Sequence, residues 1–322
     1  MSPPPSSKRG GGDHHRYYPM LNLLAYVVNA ATTYAVGTGQ VEGYPSNADL
    51  SRKYQTLVTP AGWAFSIWGC IFCSQLYWIL YQQRAGPDCY ADRVATVKFD
   101  YVFVCLFQVG WTFAFSRENI ELSLLAMALI LLFLAKIVFL DLRGSGGGGG
   151  GDLPITDYLL WKFPLSIHFA WILAATALNA NVLLVANESP ASTQFAAGMA
   201  SIAALLAFNA LLLLRSDRPD FTVGIVACWT FLGIYYELKS LQPTEKQEGE
   251  GESEEGGEGA AVGSGDSSIA DRFTETQIEQ MKSLLMRGAG LVAALVVAKA
   301  RLVLKLPQPT ATTAQQQASK KK

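Results

Sequence analysis

The chain has 322 residues, of which 50% are hydrophobic and 16% charged, and its 25 basic and 26 acidic side chains leave a net charge of −1. Soluble domains carry about 25% charged residues, so the composition points to a membrane protein, and the near-neutral balance leaves no basic footprint for a nucleic acid. Five cysteines (Cys70, Cys73, Cys89, Cys105 and Cys228), odd in number and scattered, argue against a disulfide framework.

Residues 1–19 are polar and lack the apolar core of a secretory signal, so they are expected to be disordered. A bilayer core of ~30 Å needs roughly 20 mostly apolar residues per helix. Seven stretches approach or reach that length: Met20–Gly37, Pro60–Gln82, Val97–Phe115, Ile120–Leu140, Pro164–Ala186, Phe195–Leu214 and Phe221–Leu238. The glycine tract at 144–151 reads as a flexible linker. Residues 243–268 are rich in Glu and Gly and are expected to be disordered. Residues 269–306 form either an amphipathic helix lying on the bundle or the membrane surface, or an eighth span, and 307–322 a disordered basic tail. The excess of Lys and Arg on the N-terminal side of the spans places the N-terminus on the cytoplasmic-equivalent face.

Polar groups inside lipid-spanning helices are costly and usually face the bundle interior. On the fifth span, His168, Trp171, Ala175, Leu178, Asn179 and Val182 share one face at about 100° per residue. Such a stripe either lines a cavity or glues helices together through Asn. On the second span, Thr59 and Pro60 read as an N-cap and first helical position. Gly62, Ser66, Gly69 and Cys73 form a small-residue stripe suited to close helix approach, flanked by Trp63, Phe65 and Trp68. Cys70-x-x-Cys73 in such a helix reads as a pair of small packing residues rather than a redox motif. The third span holds Gln108, Trp111 and Phe113, the fourth Lys136, near enough to its end to snorkel, and the sixth Asn209. Asp100, Glu118, Glu121, Asp141 and Glu237 all fall near span ends, which argues against an ion-coupled pump. No phosphate loop, nucleophile elbow or spaced metal cluster is present.

Three of these stretches carry a resemblance. Tyr54, Leu57, Thr59, Pro60, Trp63, Phe65 and Trp68 resemble the first-loop motif and following helix of the TspO/MBR (translocator or tryptophan-rich sensory protein) family. Trp111, Thr112, Phe113, Ala114 and Phe115 are similar to its third-helix motif, and Trp171, Ala174, Ala175, Leu178 and Asn179 to its fifth. Thr59 stands where the family has Lys, Ala174 where it has Phe, and the helices after residue 187 have no counterpart in five-helix members.

The resemblance implies a five-helix membrane core over 20–187; with the two further helices over 188–242 and the 269–306 segment as a candidate third, both read from the apolar stretches, the expected fold is an all-α polytopic membrane bundle. It implies a pocket for a hydrophobic tetrapyrrole- or sterol-like ligand that is bound, transported or sensed. Trp63 then belongs to the lid region, Trp171, Ala175 and Leu178 line the pocket with Asn179 beside them, and Trp111 is a wall. Trp68 is added as a flanking indole and His168 on physical grounds alone. A porphyrin-like molecule is the only bound group suggested, no metal or catalytic residue is assigned, and the expected partners are the bilayer and a hydrophobic small molecule, with a homodimer left open. A structural or assembly role is the alternative. A membrane enzyme degrading a tetrapyrrole ranks lower, because a single His offers no acid–base pair.

Overall fold

The computed structural model describes residues 17–84, 97–141, 158–216, 219–241 and 269–305. The expectations for 1–16, Cys89, the glycine tract, the acidic 243–268 segment and the basic tail lie outside these residues. All regular structure among the described residues is helical.

In chain order the helices are α1 (Tyr17–Gly37), the short α2 (Asn47–Lys53), α3 (Ile67–Arg84), α4 (Asp100–Ser116), α5 (Ile120–Lys136), α6 (Phe163–Ala186), α7 (Ala191–Arg215), α8 (Phe221–Ser240), the short α9 (Ile269–Arg272) and α10 (Glu275–Lys305). A 3-10 turn, Gly62–Ser66, leads into α3, and π-helical turns at Ile137–Asp141 and Tyr158–Lys162 extend α5 and precede α6. Tyr17 to Pro19, expected to belong to the disordered leader, form the first turn of α1, where proline needs no amide donor.

Seven helical segments are long and apolar enough to cross a membrane, and they include Glu275–Val303. The shorter Asp100–Ser116 has 17 residues, or about 25 Å at 1.5 Å per residue. It nevertheless packs tightly on α1 and α5 within the bundle.

Two packing units result. The first is a ring: α1 packs on α3, α3 on α6, α6 on α5, α5 on α4, and α4 back on α1. The second is a lobe of α7, α8 and α10 laid against α6, with α10 running along both α7 and α8. The 269–305 segment is thus docked on the bundle, with Met281, Leu285 and Val292 fully buried.

Glycine makes the closest approaches in the lobe. A Cβ on Gly224 would lie 2.8 Å from Val296, one on Gly198 3.0 Å from Met281, and one on Gly233 2.8 Å from Ala64 and 3.1 Å from Pro60. The stripe singled out on the second span behaves differently, since a Cβ on Gly62 or Gly69 meets nothing within 4 Å. Those glycines therefore do not seat a neighbouring helix among the described residues. Thr59 does not cap α3 either. Its hydroxyl accepts from the Thr56 amide at 2.9 Å, holding the loop, and the 3-10 turn begins after Ala61. That start is tied instead to α8, where the Ala61 amide donates to the Gly233 carbonyl at 3.0 Å and Trp229 Nε1 to the Ala64 carbonyl at 2.9 Å.

Charged groups at the helix ends find partners. Lys136, expected to snorkel, pairs with Asp100. Asp220, absent from the sequence reading, caps α8 and accepts from Tyr158 at 2.9 Å and from Ser166, with Lys162 at 3.6 Å. Those donors satisfy a carboxylate that is only 4% exposed.

Candidate functional site: a tryptophan-walled cavity

A cavity of about 790 Å³ opens inside the half of the ring that faces α2. Its aromatic wall is Phe65, Trp68 and Phe72 from α3 and its lead-in turn, Trp111 and Phe115 from α4, and Trp171 from α6. Ala175, Leu178, Asn179 and Val182 continue the α6 wall, Ala30, Thr33 and Tyr34 close it from α1, and Met127 from α5. Gly62 and Gly69 also line this space, which explains why their small-residue stripe has no helix against it. On the far side of α6 the cavity continues past Ala174 and Ala177 to Ser201, Ile202 and Leu205 of α7 and Thr230, Ile234 and Glu237 of α8. Alanines at 174 and 177 leave the room for this second arm, where a larger side chain would fill it.

The indoles are held by each other and by polar contacts. Trp68 and Trp171 meet edge to face with centroids 6.4 Å apart, Phe65 and Trp171 at 5.7 Å, and Trp111 stacks on Phe115 at 5.2 Å. Such geometries suit the ring quadrupole. Trp111 Nε1 donates to Asn179 Oδ1 at 2.9 Å, and Asn179 Nδ2 donates to Ser123 Oγ at 3.0 Å. Asn179 therefore bridges α4, α5 and α6 and fixes the face that Trp111 presents. The two roles weighed for it, interhelical glue and pocket lining, coincide.

Over the mouth lies α2, with Asn47, Ala48, Ser51 and Arg52 on the cavity side. It forms because Ser46 and Asp49 make a capping box, Ser46 Oγ accepting from the Asp49 amide at 3.1 Å while Asp49 accepts from the Ser46 amide at 3.2 Å. Those hydrogen bonds from Ser46 hold the Asp49 carboxyl below its ordinary value. Leu50, 2% exposed, plugs into Phe115, Ile120 and Val182 at the tops of α4, α5 and α6. Burying a leucine side chain contributes about 1.5–3 kcal/mol. Lys53 and Tyr54 both donate to Glu118 in the α4–α5 turn. Hydrogen bonding from Lys53, then Tyr54, holds the Glu118 carboxyl down, and the same contact raises Lys53. Burial is the main cause of the raised Tyr54 phenol. Behind α2, Gln55 Nε2 donates to Glu237 at 2.8 Å, and Arg272 of α9 donates to the Gln55 carbonyl and to Gln194 at 3.0 Å.

Of the eight residues nominated from sequence, Trp68, Trp111, Trp171, Ala175, Leu178 and Asn179 stand on this one cavity. Trp63 does not. It is 44% exposed and lies edge to face with Trp229 at 4.8 Å and Tyr236 at 6.3 Å, because the ties to α8 turn its side of the 3-10 turn outward. His168 is also off the wall, one turn below Trp171 and 1% exposed, its ring edge-on to Trp68 at 5.7 Å. Sequence reading missed Phe65 and Phe72 as walls, although both lie on the aromatic side of the second span. It also missed α2, whose Ser-x-x-Asp box was its only local signal.

Among curated proteins and solved structures nothing matches the chain. A family model described as TSPO-like protein matches residues 19–245, from the first turn of α1 to just past α8. With more than half its length matched and the helical membrane architecture in place, the chain belongs to the TSPO-like family.

Proposed function

We propose that this multi-pass membrane protein binds a flat, hydrophobic polycyclic ligand of the tetrapyrrole or sterol kind in the tryptophan-walled cavity, as a carrier or sensor of that ligand. The observation that carries this reading is the convergence of Trp68, Trp111 and Trp171 on a single space of about 790 Å³. Small-molecule pockets run from ~300 to 1,000 Å³ and are mostly apolar with a few placed polar groups. Three indoles offer stacking and edge contacts to a planar ring system. The α2 segment supports the reading as well, since Asn47, Ala48, Ser51 and Arg52 border the cavity while Leu50 and the Lys53 and Tyr54 contacts to Glu118 seat the segment on the ring.

The test is tryptophan fluorescence of the purified full-length chain titrated with protoporphyrin. Saturable quenching is expected. Trp171→Ala weakens it at least about tenfold, the equivalent of about 1.4 kcal/mol, whereas Trp63→Ala, off the cavity, leaves the apparent Kd unchanged. Quenching that never saturates, or a Trp171→Ala curve superposing on the parent's, overturns the proposal.

A further inference from the structure

The cavity has two arms of different character, and they meet at α6. Trp171, Ala175, Leu178 and Val182 face the aromatic arm, whereas Ala174 and Ala177 stand on a face about 100° round the helix. Beyond those alanines the second arm is a slot between α6, α7 and α8, bordered by Ile202 and Leu205 of α7, Ile234 of α8 and Val58 of the loop after α2. It follows α8 from Thr230 to Glu237, about 10 Å at 1.5 Å per residue. Among the described residues α7 and α8 contribute no aromatic side chain to it.

The slot is interior and close-walled, with Ile202 and Ile234 only 0% and 2% exposed. A flat polycycle needs a space as broad as its ring, whereas a single methylene chain threads between close-set aliphatic side chains. The polar groups along the slot already have partners. Ser201 Oγ accepts from Asn181 Nδ2 at 2.9 Å, Thr230 Oγ1 donates to the Val226 carbonyl at 2.9 Å, and Glu237 accepts from Gln55 Nε2 at 2.8 Å. They therefore set no demand for a polar occupant, and an apolar space of this kind takes up an apolar guest. A chain seated there gains the dispersion contacts that unfilled walls forgo. In a bilayer that is the gain that counts, because lipid tails are as apolar as the slot itself.

We propose that the ligand carries an aliphatic chain: its ring system lies against Trp68, Trp111 and Trp171, and the chain passes Ala174 and Ala177 into the slot between α6, α7 and α8. This deepens the reading of the aromatic arm as a ring site and rests on it. The test compares the monomethyl and mono-octyl esters of protoporphyrin, which share one ring and one charge. Tryptophan quenching is measured on the full-length protein in lipid nanodiscs, with concentrations counted per lipid so that the chain's own preference for the bilayer cancels. The octyl ester is expected to bind at least about tenfold tighter, the least that one well-placed methylene contributes in an apolar pocket. Ala174→Leu, which closes the passage, abolishes or reverses that preference. Equal affinities in the parent, as when a lipid chain already holds the slot, or a preference that survives Ala174→Leu, overturn the chain site and leave the ring site standing. No saturable quenching by either ester overturns both. Should Ala174→Leu fail to fold, density for the parent with the octyl ester decides: a chain between α6, α7 and α8 supports the proposal, and one directed towards α1 refutes it.

Discussion

The ring and the lobe solve the same packing problem in opposite ways. Lipid provides no hydrophobic drive between helices, so association rests on close van der Waals contact or on interhelical hydrogen bonds. The lobe uses the first device: Gly198, Gly224 and Gly233 let α10 and the α3 lead-in approach α7 and α8 to contact distance. The ring uses the second, pairing Asn22 with Gln82 at 3.1 Å, Gln75 with His168 and Tyr101, and Asn179 with Trp111 and Ser123. Hydrogen bonds hold helices at a distance set by side-chain length, whereas glycine brings backbones together. A bundle that must keep a hollow is better built the first unit's way, and a buttress the second's.

The comparison breaks most sharply at glycine. Gly233→Leu drives a side chain into Ala64 and Pro60, and Gly224→Leu into Val296. Overpacking of this kind costs about 1–3 kcal/mol or more, and Gly233→Leu additionally pushes the Ala61 amide off its acceptor. Thermal midpoints of both variants are expected to fall by many degrees. Gly69→Leu, by contrast, projects into open cavity space. It leaves the midpoint near the parent's and weakens porphyrin quenching. A destabilised Gly69→Leu with intact binding would show that the stripe seats a helix after all.

A second contrast concerns asparagine. Asn179→Leu strands Trp111 Nε1 and Ser123 across three ring helices, at a cost of about 1–2 kcal/mol, and frees the Trp111 indole. Asn209 of the lobe is equally buried at 1%, but its amide donates only to Leu205 of its own helix at 2.9 Å and its Oδ1 has no partner among the described residues. Asn209→Leu is therefore expected to change stability by less than about 0.5 kcal/mol or to raise it slightly. Equal losses in the two variants, measured by thermal unfolding, would erase the distinction drawn between the units.

The sequence exposes the ring more clearly than the lobe or the lid, for identifiable reasons. The α6 stripe of Trp171, Ala175, Leu178 and Asn179 is visible because helical period converts spacing directly into a face, and these residues do share the cavity. The same rule applied to Gly62, Ser66, Gly69 and Cys73 gives a small-residue face but not what stands opposite it: Gly62 and Gly69 border the cavity, whereas Ser66 and Cys73 are exposed and off it. What stands opposite depends on the partner surface, as does the outward turn of Trp63, which follows from α8 hydrogen bonds 165 to 172 residues away in sequence. His168 was read on the α6 face, yet its level, one turn below the floor, is set by where the neighbouring indoles meet. The amphipathic pattern of 269–306 fits a helix on a membrane surface as well as one on α7 and α8, and only the tertiary contacts separate them.

Smaller effects test the two turns that bracket these units. Glu118 closes α4 inside the ring, and Glu188 links α6 of the ring to α7 of the lobe. Both are left-handed, with φ +58° and +50°, and both complete a helix-terminating pair of hydrogen bonds, Asn119 to Ala114 with Glu118 to Phe115, and Ser189 to Leu184 with Glu188 to Val185. Non-glycine residues pay about 1–2 kcal/mol for this conformation, part of which glycine gives back as chain entropy. Glu188 makes no ion pair among the described residues, so Glu188→Gly is expected to stabilise by about 0.5–1 kcal/mol. Glu118→Gly loses the Lys53 and Tyr54 contacts as it relieves the backbone, so its net change is near zero. Matching gains in both variants would mean that the lid clamp contributes nothing.

Acid gives the finest probe of that clamp. Because the folded state depresses Glu118 below its unfolded value of about 4.3, the clamp's contribution is fully present above that pH and is lost as pH falls through the depressed value. Lys53 is raised, so its share is present below about pH 10.4 and disappears only as pH climbs through the higher folded value. The lid is thus pinned between roughly pH 4.3 and 10.4. The side chains are 52% and 36% exposed, so solvent screening limits the pair to the 0.2–1 kcal/mol of surface bridges. Loss of that little leaves Leu50 seated and the ring folded, but it shortens the time α2 stays closed. Protoporphyrin release from the parent should therefore quicken modestly as pH falls below about 4, while Glu118→Gln releases at that faster rate at every pH. A variant whose acid dependence matched the parent's would show that a different carboxylate, Asp49 of the capping box being the nearest alternative on the lid, governs the opening.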